Sequence, residues 1–399
     1  MHGHAWASLV TPLRILLSAV CLSTIGLYAW SVFLARDFLQ RVAGRKGGET
    51  PPGISVLKPI RGVDRDAVAN FASFCRQDYP SWEILFGAEQ EGDPGLEAAR
   101  QVQRDHPDVP IRILVGDGAT GANPKVRTLA KLAREARHSL LLISDSDIQV
   151  DRSHLERMVE PFQDPRVGVA TCLYRSSADA FWGRIDALAL STEFVPGALV
   201  ARRLEGMTFA MGAGILIRQD VLERIGGFRA IADNIADDYL LGNLPARAGY
   251  RVELAREVVN HRLGTRSLRD LITRRMRWNR VILSSRPWSY AGMVFLQGTA
   301  AALFLPVAAG GSVSAWLLAM ATLAARIGAG WFLTDRCLDD RASRRLLWLL
   351  PICDVVSTLT WFAAFFRHEI VWRGRKFRVE RGGRLLEEEE RPAARTGVG

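Results

Sequence analysis

Three groups of residues in this sequence have the types and spacing to do chemistry. The first is Asp145-Ser146-Asp147, directly after the apolar run Leu140-Leu141-Leu142-Ile143. An Asp-x-Asp turn at the end of a buried strand can offer carboxylate oxygens to a hard divalent cation, which would in turn hold a diphosphate. The second is Asp237-Asp238, at the expected start of a helix. There the pair either balances the positive end of the helix dipole or supplies a base for an attacking hydroxyl. The third is Arg274-Arg275-Met276-Arg277-Trp278. Its guanidinium forks suit a diphosphate and its indole could wall a second substrate, or the group is a basic belt beside a membrane. Each group alone has a plain structural role. All three, in this order and ahead of an apolar segment, are not explained by those plain roles and point to a site for a phosphorylated ligand.

The elements around these groups alternate short apolar runs with helical patterns, the signature of βαβ units. Ile54–Leu57 is expected to be a strand, and 64–75 a helix with Val68, Phe71, Ala72 and Cys75 on one face. Further strands are expected at Ile84–Phe86, which ends in the acidic stretch Glu89-Gln90-Glu91-Gly92-Asp93, at Ile111–Val115 and at Leu140–Ser144. The implied fold is α/β with a mostly parallel sheet, whose ligands bind beyond the carboxyl ends of the strands.

Both flanks are apolar. Ile15–Ala35 carries no charge over about 21 residues, enough to cross a bilayer and too long for a signal peptide without a cleavage site. Arg36, Arg41, Arg45 and Lys46 follow it, against Arg14 alone close before it, so the part after 36 is expected in the cytoplasm. A second apolar block begins at Pro287 and is expected to form two helices, 289–309 and 313–334. A third, Leu346–Phe366, carries Asp354, which must face protein or water. Four full crossings would put the basic tail (Arg367, Arg373, Arg375, Lys376, Arg378) on the non-cytoplasmic side, so one segment, with Leu346–Phe366 first, is expected to be re-entrant or interfacial. The expected division is a membrane anchor over 1–46, a catalytic domain over 47–285, membrane segments over 286–366 and a tail over 367–399. The net charge is +10 and the basic residues are almost all arginine, a skew that reflects either a GC-rich genome or contact with phosphate and anionic lipid. No basic stripe interleaved with aromatics supports nucleic acid binding. Five cysteines, an odd number without metal-type spacing, are expected to be reduced, with no zinc site.

Together these motifs resemble the ceramide glucosyltransferase family (glycosyltransferase family 21), including its bacterial branch associated with hopanoid lipids. The resemblance runs through Ser55-Val56-Leu57-Lys58-Pro59, Gly62-Val63-Asp64, Asp78-Tyr79-Pro80, Gly121-Ala122-Asn123-Pro124-Lys125, Asp145-Ser146-Asp147 and Asp237-Asp238-Tyr239. It ends with Arg274-x-x-Arg277-Trp278 and the tail 372–378. It implies a GT-A, Rossmann-like fold with one N-terminal and two to three C-terminal transmembrane or interfacial helices. It implies inverting transfer of a hexose, glucose or N-acetylglucosamine, from a UDP-sugar to a membrane lipid of ceramide or hopanoid type. Location in the bacterial inner membrane, multi-pass with the catalytic domain facing the cytoplasm, follows from the same resemblance.

Carried over by position, Asp145 and Asp147 would hold Mg²⁺ or Mn²⁺ and, through it, the diphosphate, and Asp238 would be the general base. Arg274, Arg277 and Trp278 would bind the diphosphate and line the acceptor pocket, with Asn123 and Lys125 beside the nucleotide. One position departs: the family's uracil-binding aspartate is replaced by Gln90. A glutamine carbonyl still accepts a hydrogen bond but without charge, unless Glu91 or Asp93 substitutes. Two other readings remain open at this stage, a processive polysaccharide synthase and an inactive nucleotide-sugar-binding membrane scaffold.

Overall fold

The computed structural model describes residues 2–40, 51–367, 369–372 and 375–387. Arg41, Arg45 and Lys46 after the first apolar segment, Arg373 and Gly374 of the tail motif, and the end of the tail beyond 387 lie outside the described residues.

Eight strands form the main sheet: β1 (Ile54–Ile60), β2 (Trp82–Ala88), β3 (Ile111–Val115), β4 (Leu140–Ile143), β5 (Ile148–Gln149), β6 (Val167–Ser177), β7 (Ile215–Arg218) and β8 (Arg251–Arg262). Their order is β3-β2-β1-β4-β7-β6-β8-β5. The first four pair in parallel, with Leu57 beside both Leu85 and Ile143. β7 runs antiparallel to β4 and β6, and β8 is parallel to β6. The expected mostly parallel sheet is present: β1 and β2 run two to three residues further at their ends than expected, β3 has the expected bounds and β4 ends one residue earlier.

The pleat explains why these runs are strands buried on both faces. Ile54, Val56, Ile84, Phe86, Leu140 and Leu142 pack on one side with Phe71, Phe74, Leu96 and Val102 from the helices Ala67–Phe74 and Gly95–Asp105. Leu57, Leu85, Leu141 and Ile143, one residue out of phase, pack on the other side with Val126, Leu129 and Leu132 of the helix Pro124–Glu135. Successive side chains alternate faces, so each face acquires its own core. A truncation such as Leu142→Ala would cost about 2–5 kcal/mol.

The N-terminal helix His2–Gln40 has a 30-residue apolar span, Thr11–Gln40. It packs through small side chains, with Val20 and Cys21 against Ala301, Ala302, Ala315 and Ala319. Close approach of this kind suits helices that associate in lipid. The helix Val313–Phe332 continues to a second span, Val313–Cys337. The expected helix 289–309 is broken: Pro287–Leu296 and Gly298–Ala308 meet at 52°. At the break the Thr24 hydroxyl donates to the Phe295 carbonyl at 2.6 Å, and a Cβ at Gly298 would collide with Thr24. The hydroxyl satisfies a carbonyl that the helix has released.

The helix Leu350–Ala363, and even the longer apolar stretch Leu347–Ala363, is short for a crossing. Asp354 is buried there against Arg326 at 2.8 Å. After it, three strands, β9 (Glu369–Trp372), β10 (Arg375–Val379) and β11 (Leu385–Glu387), form a small antiparallel sheet. That sheet docks on the main domain: Ile370, Phe377, Val379 and Leu385 share a core with Ile235 and Ala236. The tail strands therefore pack on the same domain as the main sheet.

Candidate active site

β4 ends at Ile143, and the chain turns at Asp145-Ser146-Asp147 into β5. Lys58 of β1 holds this turn from below, donating to the Asp145 carbonyl at 2.6 Å and to Ser144 Oγ at 3.4 Å. Its ammonium lies 4.1 Å from the Phe74 ring. Burial pulls Lys58 down to about 7, against the opposing fields of Asp147, Asp145 and Asp64. Ser146 donates to Asp64, and Asp147 Oδ2 lies 3.2 Å from His261 Nε2 at the end of β8.

Lys125, on the first turn of the helix Pro124–Glu135, joins the two acidic groups. Its ammonium is 2.9 Å from Asp145 Oδ1, 3.1 Å from Asp237 Oδ2 and 2.9 Å from Asp238 Oδ1. Burial alone would lower its pKa, but Asp145, Asp237 and Asp238 outweigh it and hold Lys125 well above its usual value. Asp238 is pushed up to about 8, by burial first and by Asp237 next, with Lys125 opposing. Gly212 lets the Asp238 carboxylate sit here, since a Cβ at that position would displace it.

Asp145, Asp147, Asp238, Lys125, Arg274, Arg277 and Trp278 all line one cavity of about 1140 Å³. That is just above the roughly 300–1,000 Å³ of a typical single-ligand site. The Arg274 guanidinium stacks over the Trp278 ring at 4.9 Å and reaches Asp186 at 3.4 Å. The cavity continues past Glu193 and Phe194 to Tyr28 and Leu27 of the N-terminal helix and to Phe295 and Leu296 of the broken pair.

Two expected placements differ. Asn123 is fully buried: it caps the helix Pro124–Glu135, accepting from Val126 N at 3.2 Å and donating to the Asn234 carbonyl at 2.8 Å. It supports Lys125 and does not line the cavity. Gln90 is exposed outside the cavity, Glu91 pairs with Arg100 at 2.8 Å on the surface, and Asp93 accepts from the amides of Gly62 and Gly95. The carboxylate of that loop lining the cavity is Glu89, held by Arg127 at 2.6 Å and 3.9 Å from Arg375 of β10. One residue of register separates Glu89 from Gln90, and a loop without periodicity cannot fix it. His261, Glu193 and Tyr28 also went unrecognised, since each is isolated in the sequence from the motifs it meets.

Among the described residues no group of three or more His, Cys, Asp or Glu could hold a metal by itself. Two neighbouring carboxylates, Asp145 and Asp147, still fit Mg²⁺ or Mn²⁺ chemistry. Such a cation is usually held by one or two carboxylates, with water and substrate phosphates completing its shell.

The sheet and the carboxylates beyond β4 define a GT-A type fold. A mannosyltransferase from Pyrobaculum calidifontis, solved in complex with GDP-Man and Mn2+, is similar with a TM-score of 0.52 at 19% identity, covering 88% of this chain and 99% of that one. Glycosyl transferase family 21 matches residues 14–385, and the chain belongs to that family. Ceramide glucosyltransferase 1 of Caenorhabditis elegans is 26% identical over 240 residues, 60% of this chain and 51% of the relative. Ceramide glucosyltransferase 3 of the same organism is 21% identical over 84% of this chain and 74% of its own length. The ceramide glucosyltransferase of Komagataella phaffii is 36% identical over 31% of this chain and 26% of its own length. The chain thus spans about half the length of the first of these relatives.

Proposed function

We propose that the protein transfers one hexose, glucose or N-acetylglucosamine, from a UDP-sugar to the hydroxyl of a membrane lipid of ceramide or hopanoid type, with inversion. The observation that carries this reading is the single cavity joining the carboxylate cluster to apolar side chains of the membrane helices. A polar donor and a lipid acceptor could meet there without the lipid leaving the bilayer.

In this reading Asp145 and Asp147 hold a divalent cation, which when bound supplies positive charge to the diphosphate. Glu89 accepts a hydrogen bond from the nucleobase, the role first expected at Gln90. Arg277 and Arg274 neutralise charge that builds on the leaving diphosphate. Asp238 takes the proton as the lipid oxygen bonds to the anomeric carbon and the bond from that carbon to the diphosphate breaks. Asp237, buried beside Asn123 and Lys125, positions this pair.

The division into anchor (1–46), catalytic domain (47–285), membrane segments (286–366) and tail (367–399) belongs to the same proposal. Three crossings, with the broken pair counted as one, put the catalytic domain and tail together in the cytoplasm, here of a bacterial inner membrane. The test is product analysis with labelled UDP-sugars and membrane lipids. One sugar on a lipid is expected, and a polymer or no product overturns the reading.

A further inference from the structure

Glu193 sits where the two arms of the cavity meet, and none of the catalytic roles above uses it. It lies on a π-helical turn, Leu190–Phe194, inserted between the helices Phe181–Ala189 and Val195–Glu205. Such wide turns often mark functional positions, because the extra residue re-aims a side chain. Both carboxylate oxygens accept from Ser357 Oγ at 2.8 Å. Arg275 lies 3.5 Å away on one side and Arg326 3.7 Å on the other. The side chain keeps 26% of its surface exposed and lines the cavity between Trp278 and Tyr28.

Burial raises the pKa of this carboxyl while Arg275, Arg326 and the Ser357 hydroxyl oppose it, and those three donors fix its oxygens so that they present acceptor lone pairs toward the cavity. With two guanidiniums against it, the local charge is already neutralised. A cationic headgroup would gain little there, whereas a neutral O–H or N–H would complete the site. The cavity's polar end holds the base and its apolar end the lipid tail, so this junction is where a lipid headgroup must pass.

We propose that Glu193 selects the lipid acceptor, its carboxylate accepting a hydrogen bond from a second neutral donor, a hydroxyl or amide N–H, beside the reacting hydroxyl. This rests on the lipid-transferase reading above. It explains why the carboxylate is oriented by a hydroxyl from a membrane-side helix, when structural ion pairing alone would not need Ser357. Arg326 retains Asp354 at 2.8 Å and Arg275 retains Asp186 at 3.4 Å, so each arginine keeps a carboxylate if Glu193 is replaced.

The test uses the full chain in detergent micelles with two acceptors of equal chain length, a 1,2-alkanediol and a 1-alkanol. The wild type should prefer the diol by roughly 10- to 100-fold in kcat/KM, the usual cost of leaving a polar group unpaired. Glu193→Leu should abolish that preference through the diol's KM, with donor KM unchanged, and Glu193→Gln should retain part of it. Should Glu193→Leu fail to fold, Ser357→Ala reads the same effect, as a partial loss of preference. A full diol preference in Glu193→Leu overturns the proposal, as does an equal loss on both acceptors with raised donor KM. If the wild type transfers no sugar to these two or to ceramide-type membrane lipids, the transferase reading falls and this inference falls with it; transfer to the membrane lipids alone overturns only this inference.

Discussion

Two clusters of buried charge lie along the same cavity and are balanced in opposite ways. At the catalytic end, Asp145, Asp147, Asp237 and Asp238 face Lys125, with His261 beside Asp147. That end carries excess negative charge and stays open to the cavity. At the membrane end, Arg326, Arg275 and Arg274 alternate with Asp354, Glu193 and Asp186, an equal number of each sign. A charge in an apolar setting is tolerated only when paired and hydrogen-bonded, so the membrane cluster is closed in charge, while Glu193 and Arg274 keep a face to the cavity. The lesson is that imbalance marks a site awaiting a cation, and balance marks a joint that leaves room only for neutral groups.

The comparison is tested most severely at the open cluster. Replacing Asp145 and Asp147 together with alanine should abolish transfer while the protein still inserts in membranes. The wild type should lose activity in excess EDTA and regain it with Mg²⁺ or Mn²⁺. Full activity in EDTA, or in the double variant, would show that the imbalance serves no cation.

Asp238→Asn should lower turnover by about 10²-fold or more with donor KM nearly unchanged. The pH profile sharpens this. The Asp238 carboxyl is raised to about 8, so it is protonated below that pH and able to accept a proton above it. The kcat/KM of the wild type should therefore rise as pH passes through about 8. Lys125→Met removes the opposing positive charge and should move that limb to higher pH. A flat profile with an unaffected Asp238→Asn variant would displace the base.

At the closed cluster the effect should be on stability. Arg326→Met strands Asp354 in an apolar setting and should destabilise the protein by about 3–5 kcal/mol. Replacing both, as Arg326→Met with Asp354→Leu, should recover most of that loss, as measured by thermal unfolding in detergent. If the double variant is as unstable as the single one, the cluster is more than a neutral joint.

The smallest effects belong to the nucleotide loop. Glu89→Leu should raise donor KM by roughly 5- to 100-fold, corresponding to about 1–3 kcal/mol for an unpaired polar partner, with turnover changing less. Gln90→Leu should leave donor KM unchanged, because that side chain is exposed outside the cavity. A large response at Gln90 with none at Glu89 would reverse this assignment.

The sequence by itself determined the elements whose signal is local and periodic. Leu140–Ile143 had to be a buried strand because it is a short apolar run bounded by polar turns, and Asp145-Ser146-Asp147 followed at its carboxyl end. The expected segments Ile15–Ala35 and 313–334, which fall within the apolar spans Thr11–Gln40 and Val313–Cys337, were legible because a bilayer demands long apolar helices. The α/β fold class, and the order of the two acidic groups and the Arg-x-x-Arg-Trp motif, were therefore readable from the chain alone, while the helix under that motif was not.

Tertiary structure decided what depends on contacts distant in sequence. It made Asn123 a buried cap in place of a nucleotide contact, and it turned Glu89 rather than Gln90 toward the cavity. It paired Asp354 with Arg326, broke the helix at Gln297 where Thr24 could satisfy a carbonyl, and returned the tail to the main domain. These outcomes turn on where single polar groups find partners, and a partner 28 to 271 residues away leaves no local pattern.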